Sequence, residues 1–414
     1  MTRALLVCYG GAHAATLAPV AAALAERRVV EPVALALTTA ATTFRRRGVP
    51  FVSYRDFVDP ANDSGALRLG EELLPTLGPG ASVDRDESVA YLGLSMAALI
   101  SEVGDEEARS RFGKVGRHAF LQRAVLRRIV ERVAPRVVVA TNSPKSERAA
   151  ILVGNEKGIP TLMVPDLVVD PSWEAYGPFE AGWYAAMNAV AKENLIRHHH
   201  IAPTRIAITG QPAFDKSRAV GPDEGRRYTT RVTGWPGTRP YVVVATTWDQ
   251  VDLAGGGLGR ENRSDHARAV VELVRRVSTG RYDVVVKPHP SEPAGAYAPT
   301  DGQGGTFVAP PGSELDSLVA GSTGMIAAGS TTSVVDSVSL GKPTLLVQLD
   351  GKQPLVPAGD LGVDVARSRE QVERWLEGLG DPRAAGRDDA VSPNSGSARR
   401  VAELVERLAR EGIS

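Results

Sequence analysis

Hydrophobic positions along this chain follow two alternating rhythms. Nine short runs are almost continuously apolar: "ALLVC" (4–8), "VALAL" (33–37), "RVVVA" (136–140), "TLMV" (161–164), "IAIT" (206–209), "YVVVA" (241–245), "DVVVK" (283–287), "MIAA" (325–328) and "TLLV" (344–347). Runs this short, rich in β-branched residues and bounded by polar or turn residues, are expected of strands buried on both faces. Between them, apolar residues recur at helical spacing: Leu126, Ile129, Val130 and Val133; Val270, Leu273, Val274 and Val277; Val401, Leu404, Val405 and Leu408. These stripes are core-facing sides of amphipathic helices and carry no chemistry. Strands and helices in alternation predict an α/β fold of parallel sheets with helices on both faces.

The strands fall into two sets, parted near 196–205 by "IRHHHIAPT" with its proline and polar cluster. The predicted division is therefore residues 1–205, then 206–392, with a closing helical segment at 393–414. The stretch 59–116 lacks clean periodicity and is rich in Gly, Asp and Glu. It is either an excursion over the first domain that shapes a binding surface or a loop carrying helices.

Composition narrows the picture. The chain has 414 residues, enough for two domains of ordinary size, and its 43% apolar and 23% charged residues are those of a globular protein. Its 48 basic and 48 acidic side chains cancel, so no global field recruits nucleic acid or an anionic membrane. The one cysteine, Cys8, sits in an apolar run, which suits a buried thiol rather than a nucleophile. No run approaches the length of a membrane span, and the amino terminus does not have the pattern of a signal peptide. A cytoplasmic protein is expected.

In parallel α/β sheets ligands bind beyond the carboxyl ends of the strands, so candidate chemistry is sought just after each apolar run. After the first run, Gly10 and Gly11 permit a tight turn and His13 enters a helix. That histidine is either a general base for an acceptor hydroxyl or a helix-capping side chain. "TNSPKSERAA" follows the third run and "PDLVVDP" the fourth; Asn142, Ser143 and Asp166 fit substrate contact and ordinary turn or cap roles alike. After "YVVVA", Thr246 and Thr247 offer hydroxyls and amides to a phosphate, Trp248 stacks or packs, and the glycine run "AGGGLG" (254–259) suits a flap. After "DVVVK", Lys287 and His289 stand in "KPHPSEP", where prolines 288 and 290 stiffen the turn and the two side chains can meet a phosphate. After "MIAA", Gly329 leads into Ser330, Thr331, Thr332 and Ser333 at a helix start, with Asp336 on the same helix. That is a dense array of hydroxyls and amides suited to an anion. "DRD" (84–86) follows no strand and is expected to be solvated charge, and His198–His200 lack metal-ligand spacing, so no metal site is predicted.

The ordered set "SERAAILVGNEKGIPTLMV", "IAPTRIAITGQPAFD", "VVVKPHP" and "GSTTSVVDSVSLGKPTLLVQ" resembles the GT-B superfamily of nucleotide-sugar glycosyltransferases. The likeness is to the branch of surface-polysaccharide transferases, teichoic-acid glycerophosphotransferases and HP-motif sialyltransferases, with the nucleotide-sugar 2-epimerases on the same scaffold. It runs over most of residues 140–347, and the last two motifs are its specific part. The resemblance implies two Rossmann-like domains with parallel sheets facing each other across a cleft, acceptor on the amino-terminal domain and donor on the carboxyl-terminal one. It implies His289 and Ser330–Ser333 on the donor phosphates, and Asp336 where relatives often place a glutamate on the donor ribose. It also implies a final helix crossing back onto the first domain. Sialyltransferases carry an acidic pair before a glycine that has no counterpart here. The implied activity is metal-independent transfer of a sugar from a nucleotide donor to a hydroxyl on a small molecule or glycan, in polysaccharide or glycoconjugate synthesis. The catalytic group would be His13 or Asp166, and no cofactor beyond the co-substrate is needed. Three alternatives stand beside it: a 2-epimerase-type isomerase, a glycerophosphotransferase using a CDP-linked donor, and a non-catalytic nucleotide-sugar binder.

Overall fold

The computed structural model describes all residues except 1, 11, 78–82, 143–144, 166–178, 216–219, 248–249, 254–256, 261–263, 290–291, 293–294, 296, 298–304, 311, 330, 332, 350–357, 360, 380–395 and 413–414. The chain divides into two compact units, residues 1–213 with 396–414, and residues 214–395.

The first unit is built on β1 (Arg3–Cys8), β2 (Glu31–Ala36), β3 (Val137–Ala140), β4 (Thr161–Met163), β5 (Trp183–Ala186) and β6 (Ile206–Ile208). These make one parallel sheet in the order β2-β1-β3-β4-β5-β6. Its helices are α1 (Ala12–Arg27), α2 (Ala40–Arg46), α3 (Ser64–Leu73), α4 (Arg85–Val103), α5 (Asp105–Val115), α6 (Arg123–Val133), α7 (Ser146–Glu156) and α8 (Ala189–Arg197). The continuous hydrophobicity of β1 has a direct cause. Ala4, Leu6 and Cys8 face one buried cluster with α1, while Leu5 and Val7 face another with α4, α6 and α7. Both faces are covered, so both must be apolar.

The second unit contains β7 (Tyr241–Thr246), the antiparallel pair β8 (Gln250–Leu253) and β9 (Gly257–Arg260), then β10 (Asp283–Lys287), β11 (Thr306–Val308), β12 (Gly324–Ala328), β13 (Thr344–Val347) and β14 (Asp364–Ala366). Apart from the pair, they form a parallel sheet ordered β11-β10-β7-β12-β13-β14. Helices α9 (Pro222–Thr233), α10 (Ser264–Ser278), α11 (Leu315–Ala320), α12 (Ser333–Ser339) and α13 (Arg369–Gly378) accompany it. Val270 and Val274 of α10 and Val372 and Leu376 of α13 are buried in the same cluster as Val242, Val244, Val284 and Val286.

Both sheets are wound in two directions from a central strand. The chain leaves β1 for β2 on one side and returns to β3 on the other; it leaves β7 for β10 and β11, then returns to β12. The crevices at β1/β3 and β7/β12 are thus topological switch points, where open α/β sheets take ligands.

Three differences from the sequence expectation have physical reasons. The division falls after residue 213 rather than 205, because β6 pairs with β5 and the following Thr209 carbonyl accepts from Arg400 Nε at 2.7 Å. Arg400 lies on α14 (Ser397–Glu411), which belongs to the first unit and is tied to α1 by Arg27, whose Nε and Nη2 donate to Glu406 at 2.7 and 2.9 Å. Residues 59–116 are mostly helical. Their missing period reflects α4, whose buried positions include Val89–Met96 without interruption, so it has no polar face. α3 crosses it closely enough that a Cβ on Gly93 would lie 2.1 Å from the Ala66 carbonyl oxygen, and one on Gly70 equally close to that of Val89. Finally, β5 and β14 escaped the pattern because "WYAA" and "DVA" hold one β-branched residue at most, and β11 because "TFV" is only three residues long. Among the described residues, no helix is long and apolar enough to cross a membrane.

Candidate functional site

In the second unit the carboxyl ends of β10, β7 and β12 lie side by side, with Lys287 opposite Ala245 and Ala328 opposite Thr246. The turn after β10 is stitched to the end of β7. His289 N–H donates to Thr246 Oγ1 at 3.0 Å and to Glu292 Oε2 at 2.8 Å, and the Thr246 hydroxyl itself donates to Glu292. Tyr297 Oη donates to the other carboxylate oxygen at 2.5 Å, and Glu292 N–H closes the turn on the His289 carbonyl at 3.0 Å. Glu292 is buried, and burial together with this carboxylate pushes the Tyr297 phenol well up. The His289 imidazole is half-buried on a backbone held from three directions. Proline stiffness is thus only part of what fixes the turn.

Lys287 is buried and donates to the carbonyl of Pro288 at 2.8 Å. Burial holds its ammonium below the usual lysine range, with Glu292 opposing. In this arrangement it braces the turn that carries His289. Thr246 and Thr247 are both buried at the end of β7.

Beyond β12, Ser333 N–H and Oγ both turn to Thr331 Oγ1, at 3.3 and 3.1 Å, so Thr331 caps the seven-residue α12. Asp336 follows on that helix, half-buried; burial, reinforced by Asp316, pushes its carboxyl up to about 7. At neutral pH it is a mixture of acid and carboxylate, able to donate as well as accept. Ser330 and Thr332 lie outside the described residues, as do Trp248 and Pro290.

In the first unit, β1 is followed by Tyr9 and Gly10, and a Cβ on Gly10 would meet Thr39 Oγ1 at 2.2 Å, so this turn favours glycine. His13 stands in the first turn of α1, half-buried, its N–H on the Gly10 carbonyl at 3.2 Å. Across the switch point, the fully buried Glu147 of α7 accepts the Tyr9 N–H at 2.6 Å. Asn142 is buried at the end of β3. Gly11, Ser143 and Asp166 lie outside the described residues. "DRD" is a helix start: Asp84 caps α4 by accepting from Asp86 N–H at 3.0 Å and Glu87 N–H at 3.3 Å. Among the described residues, no three His, Cys, Asp or Glu side chains gather as a metal cluster.

No protein-family model matches the chain, and no curated protein sequence does. Solved structures do. The UDP-GlcNAc 2-epimerase of Methanocaldococcus jannaschii superposes with a TM-score of 0.61 at 13% identity, over 98% of this chain and 100% of that one. The Neisseria meningitidis UDP-GlcNAc 2-epimerase bound to UDP-GlcNAc gives 0.57 at 14%, over 99% and 100%. The calicheamicin glycosyltransferase CalG4 gives 0.57 at 13%, over the full length of both chains. The fold is GT-B.

Within this GT-B chain, the sequence pattern directed attention to His289, Thr246, Thr247, Thr331, Ser333 and Asp336, and all of them stand on or just beyond three neighbouring strands. Two carboxylates were missed. Glu292 was legible in principle, three residues after His289 in the same motif, and Glu147 stands in the quoted "TNSPKSERAA". Neither spacing has a fixed meaning until the fold turns the side chain inward.

Proposed function

We propose that this protein is a glycosyltransferase that moves a sugar from a nucleotide-activated donor to an acceptor hydroxyl. The observation that carries this reading is the adjacency of the ends of β10, β7 and β12 at a switch point, with His289, Thr247, Thr331 and Ser333 just beyond them and Thr246 holding the His289 turn. Backbone amides, hydroxyls and an imidazole so gathered suit the phosphates of a nucleotide donor. Asp336, at a pKa of about 7, suits a hydroxyl-rich partner such as a ribose. The donor is assigned to the second unit, the acceptor to the first.

In the proposed reaction His13, or Asp166 in its place, accepts the proton of the acceptor hydroxyl. The oxygen bonds to the anomeric carbon as the bond from that carbon to the nucleotide phosphate breaks. The charge left on the departing phosphate is met by fixed donors rather than by water. Ser330 and Thr332 extend the donor set by their sequence position, and neutralisation by side chains and amides makes the reaction metal-independent.

A second reading is kept because of the likeness to UDP-GlcNAc 2-epimerase structures over nearly the whole of both chains. An epimerase needs no acceptor. The experiment is therefore incubation with a panel of UDP-, GDP-, CMP- and CDP-linked donors, with and without a mixed pool of hydroxyl acceptors. Nucleotide release that depends on acceptor supports transfer, with release from CDP-glycerol pointing to glycerophosphate instead of a sugar. Conversion of the donor without acceptor supports epimerisation. Tight binding with neither outcome would leave a nucleotide-sugar binder.

A further inference from the structure

The first unit's switch point holds a group of side chains for which the proposed reaction gives no role. Tyr9, directly after β1, has its ring 4.8 Å from the Lys145 ammonium, and its hydroxyl accepts from Arg117 at 3.2 Å. Tyr9 is itself fixed, through its backbone N–H on Glu147 Oε1 at 2.6 Å and an edge contact of its ring with that of Tyr91, centroids 5.8 Å apart. One aromatic side chain thus gathers two cations, one from the turn after α5 and one from the start of α7.

Among the described residues neither Arg117 nor Lys145 forms an ion pair. Burial first, and then the positive charge of Arg117, hold the Lys145 ammonium below the usual lysine range; Glu147 acts the other way. Two like charges brought together in a half-buried place repel unless an anion accompanies them. Arg117 remains exposed, so its guanidinium is open to a ligand.

We propose that Tyr9, Arg117 and Lys145 form a binding site for an acidic group, a carboxylate or a phosphate, carried by the acceptor. That the ligand is the acceptor rests on the glycosyltransferase reading; that it is anionic rests on the cations alone. The guanidinium fork takes two oxygens of the group and the ammonium one, while the phenol holds both cations in register.

The test is calorimetric titration of the full chain with inorganic pyrophosphate, with glucuronate and with glucose. Wild type should bind one of the two charged probes saturably below about 10 mM and glucose not at all. Arg117→Gln and Lys145→Gln should each weaken that binding about tenfold or more. Arg117→Lys and Lys145→Arg, which keep the charge, should lose less. Arg369→Gln, which removes an exposed arginine of α13 in the second unit, should bind the probe as wild type does. Preference for glucuronate assigns a carboxylate, preference for pyrophosphate a phosphate. Absence of saturable binding in wild type, equal binding in both Gln variants with unchanged melting temperatures, or an equal loss in Arg369→Gln would each overturn the proposal. A nucleoside diphosphate is titrated alongside. If it fails to bind while the charged probe still depends on Arg117 and Lys145, the glycosyltransferase reading falls and the anion site stands.

Discussion

At the first switch point the chain leaves β1 through a phenol held by two cations; beside the second it leaves β10, the neighbour of β7, into a turn held by a buried carboxylate. The winding is the same in both places, so topology fixes where a ligand can sit and says nothing of its chemistry. In the first unit the buried Glu147 holds the Tyr9 amide, with Arg117 exposed and Lys145 half-buried beside the ring. In the second, Glu292 takes up the His289 amide and the hydroxyls of Thr246 and Tyr297, which leaves the imidazole as the outward group. A carboxylate beneath the strand end is common to both. What differs is the group it holds in place.

The largest expected effect comes from removing that support. Glu292→Ala leaves the His289 amide and two hydroxyls without their common acceptor and should cost about 3 kcal/mol of stability, read by denaturant unfolding. Unchanged stability would mean that the turn is held by its prolines and that the parallel with Glu147 is superficial. His13→Ala probes the other unit. It should lower kcat by roughly 10²-fold while donor affinity, measured by calorimetry, is retained. Unchanged turnover would transfer the role to Asp166.

Gly93→Ala presses a methyl group against the Ala66 carbonyl where α3 and α4 cross, and should destabilise the first unit by about 1–3 kcal/mol without altering nucleotide affinity. Altered affinity at unchanged stability would couple the units in a way the comparison lacks. Asp336 gives a smaller, pH-dependent effect. Its folded pKa of about 7 lies above the ordinary 3.8, so the folded state holds the extra proton between these values and loses relative stability as pH rises through them. Asp336→Asn should therefore gain on wild type in melting temperature from pH 4 to pH 7, and a constant difference would contradict the assignment. Excess chelator should leave nucleotide affinity unchanged, and its loss would introduce a metal.

How far the sequence disclosed all this depended on the kind of signal. Strands such as "YVVVA" and "DVVVK" were legible because burial on both faces imposes continuous hydrophobicity. β5 and β14 were not, since short strands containing Trp, Tyr, Ala or Asp carry no such mark. α4 was illegible for the opposite reason, being buried almost all round. Of the site, the His289 turn, Thr331 and Ser333 could be found because strand-end position narrows the search. Arg117 could not. It comes from an aperiodic region and acquires a partner in Tyr9 only through folding, 108 residues away.

The central claim is that the ends of β10, β7 and β12 hold the phosphate of a nucleotide. Calorimetric titration of wild type and His289→Ala with a nucleoside diphosphate and with its matching nucleoside tests it most directly. A charge-assisted hydrogen bond contributes on the order of 1.5–3 kcal/mol, so the variant should bind the nucleotide about 10- to 150-fold more weakly and the nucleoside almost unchanged. Equal losses for both ligands, or none for either, would contradict it.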